Sequence, residues 1–360
     1  MRTTVLISLL LVSSAIVFSS VAQIKELGAK AITDLKSVLS LPKLYVLDDN
    51  NKPVRVSFDD DYDETENETR VDLHNRVQFY LYTSDTARDP VKLFVDDVEG
   101  LKNSDFNPRR PTKFITHGWI NSHYSQACTL IRDAYLKNGD YNIIVIDWSS
   151  ITFRPYIWAS NRVLMVGEYV STMIDFLETQ GMNPAQVSFV GHSLGAHVAG
   201  LSSHYAKHKL AYVIALDPAL PNFSSAKPGS RVSKGDADYV QVIHSNGGFL
   251  GYVTPLGDSD FYPNGGSFQP GCVFDVGGAC SHLRSYKYYA ESVNNNQFIS
   301  VQCDNYEHFL SNKCENNPTA YMGGVSPDVN VEGTYYLDTN ARSTFATGTR
   351  YPRNLLSLWF

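Results

Sequence analysis

The chain has 360 residues, 43% of them hydrophobic, 19% charged and 12% aromatic, with a mean hydropathy of -0.21. That balance is globular and excludes a disordered tail protein, a collagen-like repeat and a polytopic membrane protein. A net charge of -7 and an isoelectric point near 5.8 argue against a nucleic-acid partner, because neutralising phosphate needs a basic face.

The chain opens with Arg2, an apolar run from Val5 to Val17, and then Ser20-Val21-Ala22. Charge, short apolar stretch and small residues in that order predict a secretory signal over residues 1–22, too short to span a bilayer. The mature protein is therefore expected outside the cell. There, five cysteines read as an even disulfide framework with one left over. A leader is expected over 23–70. Ile24, Leu27, Ile32, Leu35 and Leu39 have helical spacing, and Pro42 breaks it. Seven of the ten residues from Asp59 to Glu68 are acidic, which predicts a solvated block, with a pro-segment joint or partner-docking patch as the functional alternative. Asn67-Glu68-Thr69 is a candidate glycosylation acceptor there, as is Asn222 further on.

From about Val71 to Phe360 the pattern is that of one α/β domain. Strands are expected at 77–82 and 113–116, followed by a helix carrying Cys128, Ile131, Ala134 and Tyr135 on one side. The run Asn142-Ile143-Ile144-Val145-Ile146 has no polar alternation, the mark of a strand buried on both faces. Val163, Val166, Val170, Ile174 and Leu177 form one helix face, ended by Gly181 and Pro184. A strand at 186–190, a helix at 194–206 and a strand at 212–216 complete the series. Strands alternating with helices predict a mostly parallel sheet.

Gly191-His192-Ser193-Leu194-Gly195 falls between an expected strand and an expected helix. That is the context in which G-x-S-x-G makes a nucleophile elbow, with Ser193 on a strained turn. The helix start also supplies the Leu194 N–H for an oxyanion. Serine is a weak nucleophile without an oriented base. On this fold the acid and the histidine should follow in that order. Leu216-Asp217-Pro218 ends the next buried strand, which puts Asp217 at the sheet's carboxyl edge. His244, His282 and His308 are all candidates for the base, and spacing favours His282, on a loop beside Cys280. Thr116-His117-Gly118-Trp119 follows an earlier strand and offers the Trp119 N–H as the second oxyanion donor.

Together these segments resemble the pancreatic lipase family of secreted α/β-hydrolases. The residues that carry the resemblance are Gly191 to His197, Leu216-Asp217-Pro218-Ala219, Thr116 to Trp119, Asp260 to Gly266 with Gln269-Pro270-Gly271-Cys272, and Cys280-Ser281-His282-Leu283-Arg284-Ser285. They span roughly residues 75 to 345 in a consistent order. Within the family the chain is most similar to the insect single-domain lipases and phospholipases A1. The resemblance implies a central, mostly parallel sheet with helices on both faces. It also implies Ser193 as nucleophile, His282 as base, Asp217 as its carboxylate, and Trp119 and Leu194 as oxyanion donors. Disulfides Cys272–Cys280 and Cys303–Cys314 follow from the same resemblance, leaving Cys128 as a buried thiol.

Against the family pattern, only seven residues separate Cys272 from Cys280, where a lid is expected. Short lids in the family accompany phospholipase A1, galactolipase or general esterase activity. Phe274, Val276, Phe249, Leu250 and Tyr252 are the candidates for acyl contact. The chain stops soon after Leu337, so no C-terminal β-sandwich and no colipase partner are expected. Arg231 and Asp236 match positions of the family calcium site, but Pro228 and Ser233 replace acidic ligands, which weakens the case for calcium, and no other cofactor is expected. The leading expectation is a secreted hydrolase of acyl lipids at a micelle or membrane surface, phospholipase A1 ahead of triacylglycerol lipase. Its rival is a non-catalytic lipid carrier or yolk-storage protein on the same scaffold.

Overall fold

The apolar runs at 112–116, 142–147 and 187–192 become neighbouring strands in which every residue is buried. They sit in a computed structural model that describes residues 44–56, 70–86, 89–273 and 275–348. The expected signal peptide, the acidic block, Asn67 and Phe274 lie outside the described residues.

In chain order the strands are β1 (Tyr45–Leu47), β2 (Pro53–Arg55), β3 (Gln78–Tyr82), β4 (Val91–Leu93), β5 (Thr112–Thr116), β6 (Asn142–Asp147) and β7 (Val187–His192). They continue as β8 (Tyr212–Leu216), β9 (Tyr239–Ile243), β10 (Ser259–Pro263), β11 (Ile299–Gln302), β12 (Thr319–Tyr321) and β13 (Gly333–Leu337). All but β1 and β2 form one 11-stranded sheet in the order β12-β11-β13-β10-β9-β8-β7-β5-β6-β3-β4. The pairings from β6 across to β13 are parallel, and those at both edges are antiparallel.

Parallel strands need crossovers that return over a face, so the sheet is covered on both sides. Helices Val163–Thr179 and Leu194–Tyr205 pack on one face with Phe114, Ile144 and Phe189. Helices Gln126–Asn138 and Ala279–Asn294 pack on the other with Ile115, Val145 and Val190. The chain reverses direction of sheet growth at β5, which has β6 on one side and β7 on the other. Ligand sites of open α/β sheets form at such a switch point, beyond the strands' carboxyl ends.

Part of the segment expected as a leader packs with the sheet. Residues 44–56 form an antiparallel hairpin, β1 with β2, whose ends Leu44 and Val56 are buried in the same core cluster as Phe114. Local carboxylates build it. Asp48 accepts from the N–H groups of Asn50 and Lys52 at 2.9 and 2.8 Å. Asp49 accepts from the N–H of Ser122 at 3.1 Å and from its hydroxyl at 2.5 Å. The Asn121 amide donates to Leu47 O at 3.2 Å. Asp49→Ala leaves Ser122 without these partners and is expected to lower stability by about 1–2 kcal/mol, read as a lower urea midpoint at unchanged slope.

Candidate active site

Ser193 joins β7 to the helix Leu194–Tyr205 with φ 59° and ψ -122°, a conformation that costs energy in any residue with a Cβ. The flanking glycines are required by contact. A Cβ on Gly191 would lie 2.1 Å from Gly195 O, and one on Gly195 would lie 2.4 Å from His117 O. The elbow is thus tight enough to press strand, helix and the loop after β5 together. A Cβ on Gly118 would lie 2.7 Å from the Ser193 Cβ and 3.2 Å from its Oγ, so that loop meets the serine at Gly118.

The loop is heavily pinned. The Trp148 N–H donates to His117 Nε2 at 3.2 Å, His117 Nδ1 donates to Gly118 O at 2.9 Å, and the Ile120 N–H donates to Thr152 O at 3.1 Å. The Trp119 indole donates to Arg154 O at 2.8 Å. Further along, His123 bonds the buried Asp147. Burial opposes ionisation of Asp147, but hydrogen bonds from His123 and the Ser149 N–H outweigh it and hold the carboxyl well below the usual range. The backbone N–H groups of Trp119 and Leu194 have no acceptor among the described residues. Buried amides are normally paired, so two unpaired ones flanking a serine are suited to an incoming oxygen.

Asp217 follows β8 with φ 45° and is fully buried. Its Oδ1 accepts from the N–H groups of Ser245 and Asn246 at 2.7 and 2.9 Å. Its Oδ2 accepts from His282 Nδ1 at 2.5 Å, which leaves Nε2 as the basic nitrogen of that ring. Gly251 makes room for the carboxylate, since a Cβ there would lie 2.4 Å from Oδ1.

One sequence expectation is corrected here. His282 stands in the first turn of the helix Ala279–Asn294, not on a loop. The Asp275 carboxylate starts that helix by accepting from the N–H groups of Cys280 and Ser281 at 2.7 and 2.9 Å. Of the candidates for acyl contact, Leu250 and Tyr252 pack in the core cluster. The Tyr252 hydroxyl draws its ring inward by donating to Phe223 O. Phe249 is partly buried and meets the exposed Phe268 edge-on at 5.0 Å, and Val276 begins the one-turn segment Val276–Gly278.

The alternative histidines are engaged elsewhere. His244 lies between Asp260 and Tyr252 O, both at 2.8 Å, and His308 lies 3.7 Å from Asp304. Cys272 is joined to Cys280 and Cys303 to Cys314, while Cys128 is buried and its thiol is pushed up to about 12 by burial. The Asn222 amide donates to Ser160 and Asn161 side chains at 2.9 and 2.8 Å, bonds a glycan on that nitrogen would disturb. Sequence reasoning missed Gly251 and the Ser245 and Asn246 amides. The glycines at 247, 248 and 251 were the available signal, since a run of them marks a backbone that something approaches closely.

The expected calcium position does not suit a cation. Arg231 fills it, donating to Ala226 O at 3.0 Å, Val232 O at 2.8 Å and Ser233 Oγ at 2.7 Å. Asp236 accepts from the Ser233 N–H at 2.7 Å and pairs with His204 at 3.1 Å. The guanidinium already holds the Ser233 hydroxyl, the Ser233 N–H and His204 hold the Asp236 carboxylate, and the Arg231 charge would repel a divalent ion. Chelation with EDTA is therefore expected to leave Tm unchanged. A fall of several degrees, reversed by added calcium, would contradict this.

A parallel sheet with a switch-point serine, a carboxylate-held histidine and paired free amides defines an α/β-hydrolase. The chain belongs to the lipase family, whose model matches residues 45–345. It is similar to pancreatic triacylglycerol lipase of Cavia porcellus, 33% identical over 303 residues covering 75% of this chain and 65% of that protein. It is also similar to inactive pancreatic lipase-related protein 1 of Homo sapiens, 36% identical over 305 residues, 75% and 64% of the two chains. The chain thus spans less than two thirds of the length of these relatives. Among solved structures, a phospholipase/carboxylesterase from Dyadobacter fermentans matches at 18% identity and TM-score 0.30, over 50% of this chain and 79% of that one.

Proposed function

We propose that the protein is a secreted serine ester hydrolase acting on acyl lipids, with Ser193, His282 and Asp217 as its triad. The observation that carries the reading is the buried 2.5 Å bond from His282 to Asp217 on the same sheet edge as the strained Ser193. In this reading Ser193 Oγ attacks the ester carbonyl as its proton passes to His282 Nε2. The Trp119 and Leu194 amides take the oxyanion, together contributing several kcal/mol. The C–O bond of the leaving alcohol then breaks, and the alcohol takes the proton from His282. Water, deprotonated by the same histidine, releases the acid and restores Ser193. The chemistry needs no cofactor.

Phospholipase A1 activity is the favoured form, because the disulfide Cys272–Cys280 closes the segment where a larger lid would swing. Exposed Phe153, Val253, Phe268 and Val273, on the segments around the site, suit contact with a lipid surface. Purified protein should release fatty acid from phosphatidylcholine faster than from triolein, and Ser193→Ala should abolish both release and labelling by an organophosphonate. Faster turnover of triolein would reverse the substrate order. A non-catalytic lipid carrier is the second reading, favoured by the human relative named as inactive. An unlabelled, catalytically silent wild type would establish it.

A further inference from the structure

His192, beside the nucleophile, has no task in the reaction above. The residue is 3% exposed, at the last position of β7. Nε2 lies 3.2 Å from the carbonyl oxygen of His282, so that nitrogen carries the hydrogen and donates it. Nδ1 is left with a bare lone pair and no partner among the described residues. The ring packs 4.5 Å from the His282 ring at 47°, with Tyr286 edge-on at 5.2 Å. Burial, reinforced by the charge His282 can carry, pushes the pKa of His192 well below the ordinary histidine value. A phenylalanine would fill the same space without stranding a nitrogen. Buried orphans of this kind call for an explanation, and here the other nitrogen supplies one.

We infer that His192 is a positioning residue for His282: its N–H holds the His282 carbonyl, and its ring backs the His282 imidazole. The inference rests on the hydrolase reading above. Asp217 fixes His282 at its Nδ1 edge, and His192 constrains it from the face and from the backbone. Ser285 Oγ at 3.0 Å and Ser245 Oγ at 3.4 Å also donate to that carbonyl, which makes it a built anchor rather than a chance contact. The Asp217 carboxylate on His282 Nδ1 keeps the proton taken from Ser193 on His282. Proton transfer depends steeply on placement, and an error of about 1 Å costs about 100-fold in rate.

Two variants separate the parts. His192→Phe keeps a ring against His282 and removes the N–H, while His192→Gln keeps an N–H near the Nε2 position. On a soluble ester, His192→Phe is expected to lower kcat and the rate of phosphonate labelling about 10- to 100-fold with KM unchanged. His192→Gln should recover most of that loss. Wild-type kcat in His192→Phe would overturn the inference, as would equal losses in both variants that track a fall in Tm. A wild type that neither hydrolyses nor labels overturns the hydrolase reading and this inference with it. A wild type that labels beside an unaffected His192→Phe overturns this inference alone.

Discussion

Gly118→Ala is expected to lower kcat on a soluble ester by about 1,000-fold or more, with the fold retained. The new methyl carbon would lie 2.7 Å from the Ser193 Cβ, closer than such atoms approach, and 3.2 Å from both Ser193 Oγ and His192 O. Neither partner can yield cheaply. Ser193 is held in its elbow by its N–H bond to Leu216 O and by the press of Gly191 on Gly195. The loop is held by His117, by Ile120 on Thr152 and by the Trp119 indole. If the loop retreats, the Trp119 N–H leaves the proposed oxyanion site, and losing one such donor costs about 100- to 1,000-fold. If the serine retreats, its distance to His282 changes as well. Comparing kcat with phosphonate labelling at matched Tm checks this. A folded variant keeping a tenth of wild-type activity would show that Gly118 does not meet the nucleophile.

What the sequence disclosed follows from how each element is buried. Strands β6 and β8 read easily because burial on both faces demands an unbroken apolar run. β10 does not, because Asp260 sits there to receive His244 and the Leu256 and Gly257 amides, and Ser259 to receive the Tyr239 hydroxyl. The helix Ala279–Asn294 is equally masked. Its buried face uses Tyr288 and Tyr289, whose hydroxyls reach Thr339 and Tyr135. The hairpin at 44–56 rests on carboxylate-to-amide bonds that no hydrophobic period reports. In the candidate site, Ser193 and Asp217 were legible because each is defined by the end of its own strand. Spacing favoured His282 over His244 and His308 only weakly, since its partner lies 65 residues away; the resemblance to a family strengthened the choice. His192 was invisible as anything but a motif filler, because its role depends on where the Ala279–Asn294 helix comes to rest.

Asp217→Asn is expected to reduce kcat about 10,000-fold, the size of loss when a triad carboxylate of a serine protease becomes an amide. The surroundings dictate which way the amide faces. Oδ1 receives the N–H groups of Ser245 and Asn246, and an NH2 turned toward them would oppose two donors with two more. The asparagine must therefore keep its oxygen on that side and present its NH2 to His282 Nδ1. A donor there requires Nδ1 to be the bare nitrogen, which moves the ring hydrogen to Nε2 and removes the base that Ser193 needs in the proposed mechanism. Rotating the amide does not help, because it restores the clash of donors in a site with no water-facing surface at Asp217. The substitution is close to isosteric, so Tm should change far less than kcat, and substrate should still bind. Labelling by an organophosphonate should slow in proportion to kcat, since both need the same deprotonated serine. A variant that kept wild-type kcat would show that the buried pair between His282 and Asp217 serves the fold and not the chemistry.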